Sequence, residues 1–370
     1  MNVAAALGVS VARSALRIAP PRFTLILACA LTLPGALLAA APPVAAAAPF
    51  VDVHAHPDPA DVRRSIDAAL GAMAGENAVR IVLMPPPFTG DASGRFDADD
   101  FLGAVNDGTG RLLMVGGGGT LNPMIQDSAR SGDAGPQVQR RFRQRALELL
   151  QLGAAGFGEL AAEHFQGATP YQYAPPDHPL FLLLADVAAE HGVPIYLHME
   201  AVPQDMPVPA ALRSPPNPAA LHANIGAFER LLAHNRQARI IWAHAGWDNT
   251  GYRTADLCRR LLGTHANLYM DVKIDPVHPG LNSPLADGAS GPLKAEWRAL
   301  FGDFPDRFVI GTDQHYPAPP ATTQRWEPAV RLLAQLPIDV RRKIGLENAQ
   351  RLFPLRPAPH AGAALPGAAP

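Results

Sequence analysis

Cysteine is nearly absent. Two residues in 370, Cys29 and Cys258, cannot build a disulfide framework or a cysteine-rich zinc module. Charge is also scarce, at 17% of residues with a net of −2, so no basic field exists to hold nucleic acid. No acid precedes Asp52. No apolar run after residue 49 is long enough to cross a membrane. The glycine-rich phosphate turn of a doubly wound dinucleotide-binding sheet is missing too; His54-Ala55-His56 stands in its place after the first apolar run. The glycine run Gly116 to Gly119 is followed by neither a helix start nor Lys-Ser/Thr, and reads as close backbone packing.

Apolar material is abundant. Hydrophobic residues make up 48% of the chain, too many for disorder and enough for a large core. Residues 1–47 have the order of an export signal. Arg13, Arg17 and Arg22 come first, then an apolar run from Phe23 to Ala41 broken by Pro34, then Ala45 to Ala48. Cleavage near Ala47 would leave Cys258 as the one cysteine and no stable membrane anchor. The chain is therefore expected in the periplasm or outside the cell. Residues 357–370, rich in Pro, Ala and Gly, read as a disordered tail.

Between them, over residues 48–356, short apolar runs alternate with helical stretches. The runs fall at 50–56, 79–84, 112–116, 155–160, 195–198, 240–244, 268–274 and 308–312. Continuous β-branched and aliphatic segments bounded by Gly, Pro or Asp are the pattern of buried parallel strands. Amphipathic helices are expected at 137–152, 178–190, 218–234 and 292–301. Eight strand–helix units predict a (β/α)8 TIM barrel in one catalytic domain.

Catalytic groups of such barrels project from the C-terminal ends of strands. Five of the eight ends carry a metal-type ligand: His54 and His56, Glu159, His198, His244 and Asp313. A period of two puts Asp52 on the face of His54 and His56. One His-x-His pair is weak evidence in a chain with 13 histidines; placement at strand ends is what counts. Imidazoles and carboxylates without thiolate suit zinc, and also manganese or iron. Six ligands exceed one tetrahedral site with an open position, so two ions are the natural count. His54, His56 and Asp313 would hold one, His198 and His244 the other, and Glu159 would bridge. The competing role for Glu159 is a hydrogen-bond acceptor that orients a ligand imidazole. Such ions lower the pKa of bound water to about 7, supplying a nucleophile whose proton Asp313 can take.

This ordered series, with Gly311-Thr312-Asp313 and the segment Ile344-Gly345-Leu346-Glu347-Asn348-Ala349, resembles the amidohydrolase superfamily and its family 2 branch. The resemblance covers residues 50–354. It implies hydrolysis of an amide, ester or lactone of a small molecule, with the four histidines as ligands and Asp313 as ligand and base. Glu159 departs from the carboxylated lysine that many two-metal members carry on strand four. Family 2 also contains one-metal decarboxylases of the aminocarboxymuconate-semialdehyde type, the alternative reading; a non-catalytic binding barrel comes last. Lys273, Trp247 and His315 are candidates for substrate contact, with a Lys273 salt bridge to Asp271 or Asp275 as the competing role. Tyr171 and Tyr173 lie in a loop long enough for a lid. Homo-oligomerisation is left open.

Overall fold

The structure, a computed structural model, describes residues 48–75, 77–90, 96–105, 109–167, 170–213, 217–247, 249–274, 285–287, 291–317 and 326–354. The expected export signal, the tail and Asp275 lie outside the described residues.

All eight expected runs form strands. They are β1 (Phe50–Pro57), β2 (Ala78–Leu83), β3 (Leu112–Met114, resumed at Gly116–Gly117), β4 (Phe157–Ala161), β5 (Pro194–His198), β6 (Arg239–Ala245), β7 (Leu268–Val272) and β8 (Phe308–Ile310). Pairing is parallel and follows the order β3-β2-β1-β8-β7-β6-β5-β4. The break in β3 closes the ring, because Leu112–Met114 pairs with β2 and Gly116–Gly117 pairs with β4. This is a TIM barrel.

Both faces of each strand are covered, which explains the near-continuous apolar runs. Val51, Val53, Val82, Val115, Ile241 and Val309 fill the barrel interior, and Leu352 and Phe353 from the C-terminal helical segment pack with them. The neighbouring positions, such as Ile81, Ile195, Ile240, Trp242, Met270 and Ile310, pack outward against helices. Burial of each such side chain contributes roughly 1.5–3 kcal/mol relative to exposure.

Helix α5 (Pro179–His191) shows how the sequence sets its limits. The His178 side chain accepts from Leu180 N at 3.3 Å, Pro179 needs no N–H partner at the start, and Gly192 ends the helix at φ 59°. Helices α4 (Pro136–Leu152) and α8 (Ala295–Asp303) lie near their expected bounds. The helix expected over 218–234 is only α6 (Ile225–His234). Ahead of it, Ala220–Leu221 pairs antiparallel with Met206–Pro207. Asn224 holds this segment away from helical geometry, accepting from Val202 N at 3.0 Å and donating to Glu163 Oε2 at 3.0 Å and Glu200 O at 2.9 Å.

Two of the expected connections differ in the structure. The segment carrying Tyr171 and Tyr173 is a small hairpin, in which Gln172–Tyr173 pairs with Glu163–His164 and the Tyr171 hydroxyl donates to Glu163 at 3.2 Å. Gln314–Tyr316 is a short strand paired with β1. A helix, α3 (Leu121–Ser131), does begin just after the Gly116 to Gly119 run. The close packing of that run holds: a Cβ at Gly119 would lie 1.9 Å from Phe96 O, and one at Gly118 would lie 2.5 Å from Pro85 O.

Candidate metal centre

Strict alternation along the strands would not assemble this site. In β6, Ile241 and Ala243 face the interior, while the Trp242 ring packs 5.2 Å from Phe228 of α6. His244 should therefore also point outward. The register instead shifts between Trp242 and Ala245, and His244 takes φ 69°. Its Nε2 then lies 3.3 Å from Glu159 Oε1. A similar shift between Asp52 and Ala55 follows the inward Val51 and Val53 in β1. It brings His54 and His56 to the centre and separates them from Asp52. The expected common face is lost, and Asp52 accepts instead from Trp326 Nε1 at 2.6 Å and Thr312 Oγ1 at 2.6 Å. Among the described residues, His244 and Asp313 (φ 55°) are the non-glycine residues with positive φ. Each such conformation costs on the order of 1–3 kcal/mol and persists because the surroundings enforce it.

His54 and His56 are aimed by their outer nitrogens. His56 Nδ1 lies 2.9 Å from the carbonyl of Met84, which can only accept, so this nitrogen carries the proton. His54 Nδ1 lies 3.1 Å from Asp271 Oδ2 and donates in the same way. In the neutral rings both Nε2 atoms then carry lone pairs, and they stand 3.1 Å apart. Two imidazole nitrogens bound to one zinc-sized ion, each about 2.0–2.1 Å from it, are separated by roughly 3.0–3.4 Å. Asp313 Oδ1 completes the group, 3.0 Å from His56 Nε2 and 3.9 Å from His54 Nε2. The donor set fits a divalent cation.

Glu159 lies between this group and the other two histidines. Its Oε2 is 3.6 Å from His54 Nε2 and 3.5 Å from His56 Nε2. Its Oε1 is 2.8 Å from His198 Nδ1, besides the contact with His244. Two ligand groups can be drawn: His54, His56 and Asp313, or His54, Glu159 and His244. The second differs from the expected pairing of His198 with His244. Both groups use His54, whose Nδ1 is engaged by Asp271, so its one remaining nitrogen serves one group at a time.

The electrostatics keep two buried carboxylates ionised at the centre. Burial opposes protonation of His54, but Glu159, Asp271 and Asp313 outweigh it and raise the imidazole to about 10. Burial also opposes ionisation of Glu159, yet His54, His198 and His244 hold its carboxyl well below the usual range. Asp313 is likewise held down against burial, by Lys273, His56 and His244. Burial and then Lys273 push His244 down to about 3, which keeps the ring neutral. Among the described residues, the buried His244 Nδ1 has no hydrogen-bond partner.

Of the substrate-side candidates, Lys273 donates to Asp313 Oδ2 at 2.5 Å rather than to Asp271, and its ammonium lies 4.3 Å above the Trp247 ring. His315 is half exposed, with Nε2 3.8 Å from Asp313 Oδ1. Sequence reasoning missed the part played by Asp271. One oxygen accepts from the His244 backbone N–H, and the other accepts from His54 and, at 2.6 Å, from the Tyr196 hydroxyl. Its signal was a charged residue inside an apolar strand. His164, whose ring lies 4.5 Å from that of His198, was missed as well, because it sits beyond the strand end.

A parallel barrel with imidazoles and carboxylates gathered at one end of its strands is an arrangement able to hold a divalent cation. The Amidohydro_2 family model, described as amidohydrolase, matches residues 51–355, and the chain belongs to that family. No curated protein matches the chain. Similar solved structures include 2,6-dihydroxybenzoate decarboxylase from Rhizobium, at 14% identity over 82% of this chain and 98% of that one, TM-score 0.49. A 5-carboxyvanillate decarboxylase from Sphingomonas paucimobilis matches at 13% identity over 83% and 99%, TM-score 0.43. A dihydroxybenzoic acid decarboxylase from Polaromonas sp. with bound manganese matches at 14% identity over 82% and 96%, TM-score 0.45.

Proposed function

We propose that this chain is a divalent-metal-dependent enzyme that decarboxylates a small carboxylated molecule. The observation that carries the metal is the 3.1 Å approach of His54 Nε2 and His56 Nε2, two ring nitrogens whose Nδ1 partners are both acceptors, with Asp313 Oδ1 beside them. His54, His56 and Asp313 would hold the ion, with Glu159 and His244 within reach. Zinc, manganese and iron all suit these donors. When bound, the ion supplies a Lewis acid that draws electron density from a substrate oxygen.

Two features favour loss of CO2 over hydrolysis. Both ligand groups share His54, which supports one ion rather than two. Hydrolysis also asks Asp313 to accept a proton from water, but Lys273 engages that carboxylate at 2.5 Å and holds it well below its usual range. Decarboxylation makes no such demand. The bond from carbon to the carboxylate breaks, the electron pair stays on carbon, and a proton takes the place of CO2. His198, bonded through Nδ1 to Glu159 and the most exposed of the four site histidines, is placed to pass that proton. Trp247 and Lys273 would form one wall for the substrate.

Hydrolysis of an amide, ester or lactone with two ions is the second reading. It is favoured by the division of Glu159 between two histidine pairs, one on each oxygen, as a bridging carboxylate would have it. The test incubates manganese- and zinc-loaded protein with carboxyl-labelled small acids and, separately, with lactones, amides and aryl esters; chelator-treated protein is the control. Metal-dependent release of labelled CO2, with one equivalent of metal per chain, supports the first reading. Metal-dependent hydrolysis without CO2, with two equivalents, replaces it by the second. Export belongs to the same proposal and rests on the charge and apolar order of residues 1–47.

A further inference from the structure

We infer that Arg253, in the connection between β6 and α7 (Ala255–Thr264), is a positioning residue that sets the aim of His198 and His244 through their backbones. Its side chain is 3% exposed, far inside for a guanidinium. Nη1 donates to Ala243 O at 2.5 Å, and Nη2 donates to Met199 O at 2.6 Å. Ala243 immediately precedes His244, and Met199 immediately follows His198. One planar fork thus ties together the ends of the two strands that carry these histidines.

Two further contacts fix the fork. Its central carbon lies 4.0 Å over the Trp242 ring, and Trp242 Nε1 donates to Met199 O at 2.7 Å. Met199 O therefore receives the guanidinium and the indole together. The Ala243–His244 peptide is gripped at both ends: Arg253 holds its carbonyl, and Asp271 accepts from its N–H. That peptide leads into the left-handed His244, whose Nδ1 has no hydrogen-bond partner among the described residues to orient the ring. His54 and His56 are oriented through Nδ1; His244 has the backbone instead. A peptide held at its oxygen and its nitrogen cannot rotate, and the unusual φ of His244 is then enforced.

The inference rests on the metal reading, and the test separates the two. Cobalt(II) affinity is measured by chelator competition, together with thermal melting, for the full chain, R253K, R253M, H244A and the double variant R253M/H244A. The methionine keeps the buried stem and removes the fork; the lysine keeps the charge but reaches a single carbonyl. Both single Arg253 variants are expected to bind cobalt about 10–100-fold more weakly, the usual scale for loss of a group that orients a ligand. Their ligand-field spectra should change as well. The loss should be clearly smaller in the H244A background, where only the part transmitted through His198 remains. If R253M does not fold, R253K carries the same comparison. Unchanged affinity and spectrum in a folded R253K or R253M overturns the inference, as does a full additional loss on top of H244A. Absence of tight cobalt binding by the unsubstituted chain overturns the metal reading instead.

Discussion

The two sides of Glu159 are built by different means. On one side His54 and His56 leave β1 together, and each ring is steered by an acceptor at Nδ1, Asp271 or the Met84 carbonyl. On the other side His198 and His244 come from separate strands. His198 turns Nδ1 toward Glu159 itself, and His244 Nδ1 has no hydrogen-bond partner among the described residues. On the first side both rings are aimed by acceptors at Nδ1; on the second, His198 is aimed by Glu159 and His244 by a constrained backbone.

The comparison is broken most severely by removing a ring on the first side. H54A or H56A should abolish retention of manganese or zinc after dialysis, as read by elemental analysis, whereas H198A should retain part of it. Equal losses on both sides would end the distinction. D271N comes next, because Asp271 serves both sides. The amide keeps the shape but loses the charge that steers His54, and metal affinity should fall about 10–100-fold. G311A strikes the same carboxylate from behind. A Cβ there would lie 2.2 Å from Asp271 Oδ2, and overpacking of this kind costs roughly 1–3 kcal/mol, measurable by urea unfolding.

The smallest effect lies outside the centre. Glu163 is buried and raised to about 8, first by burial and then by Glu200. An acid whose value in the fold exceeds its unfolded value holds a proton in the fold that the unfolded chain has lost. Stability from this group is therefore present below about 4.5 and falls as pH rises through about 8. E163Q cannot ionise, so its melting temperature should vary less with pH over that window. An identical pH profile in the two proteins would remove Glu163 from the balance.

Most of the barrel was legible, because strands covered on both faces must be apolar throughout, and runs such as 240–244 and 308–312 declare themselves. The convergence of the candidate ligand positions was legible because a barrel collects chemistry at one end of its strands. The aim of the ligands was not. His244 turns inward through a left-handed residue, and His54 through a register shift that leaves Asp52 behind, facing α9 (Trp326–Ala334). Both are departures from the two-residue period on which sequence reading depends. Asp271 was hidden for a related reason. Its adjacency to Lys273 suggested an ion pair, while its actual partners come from β1, β5 and β6, brought near only by closure. The helix expected from 218 failed because Asn224 takes its partners from distant loops.

The central claim is that His54 Nε2 and His56 Nε2 face a shared cation. An anomalous difference map at the manganese edge, from crystals of the manganese-loaded protein, tests it most directly. The predicted result is a single strong peak within coordination distance of both nitrogens and of Asp313. A peak bound elsewhere, or none between those two rings, would contradict it.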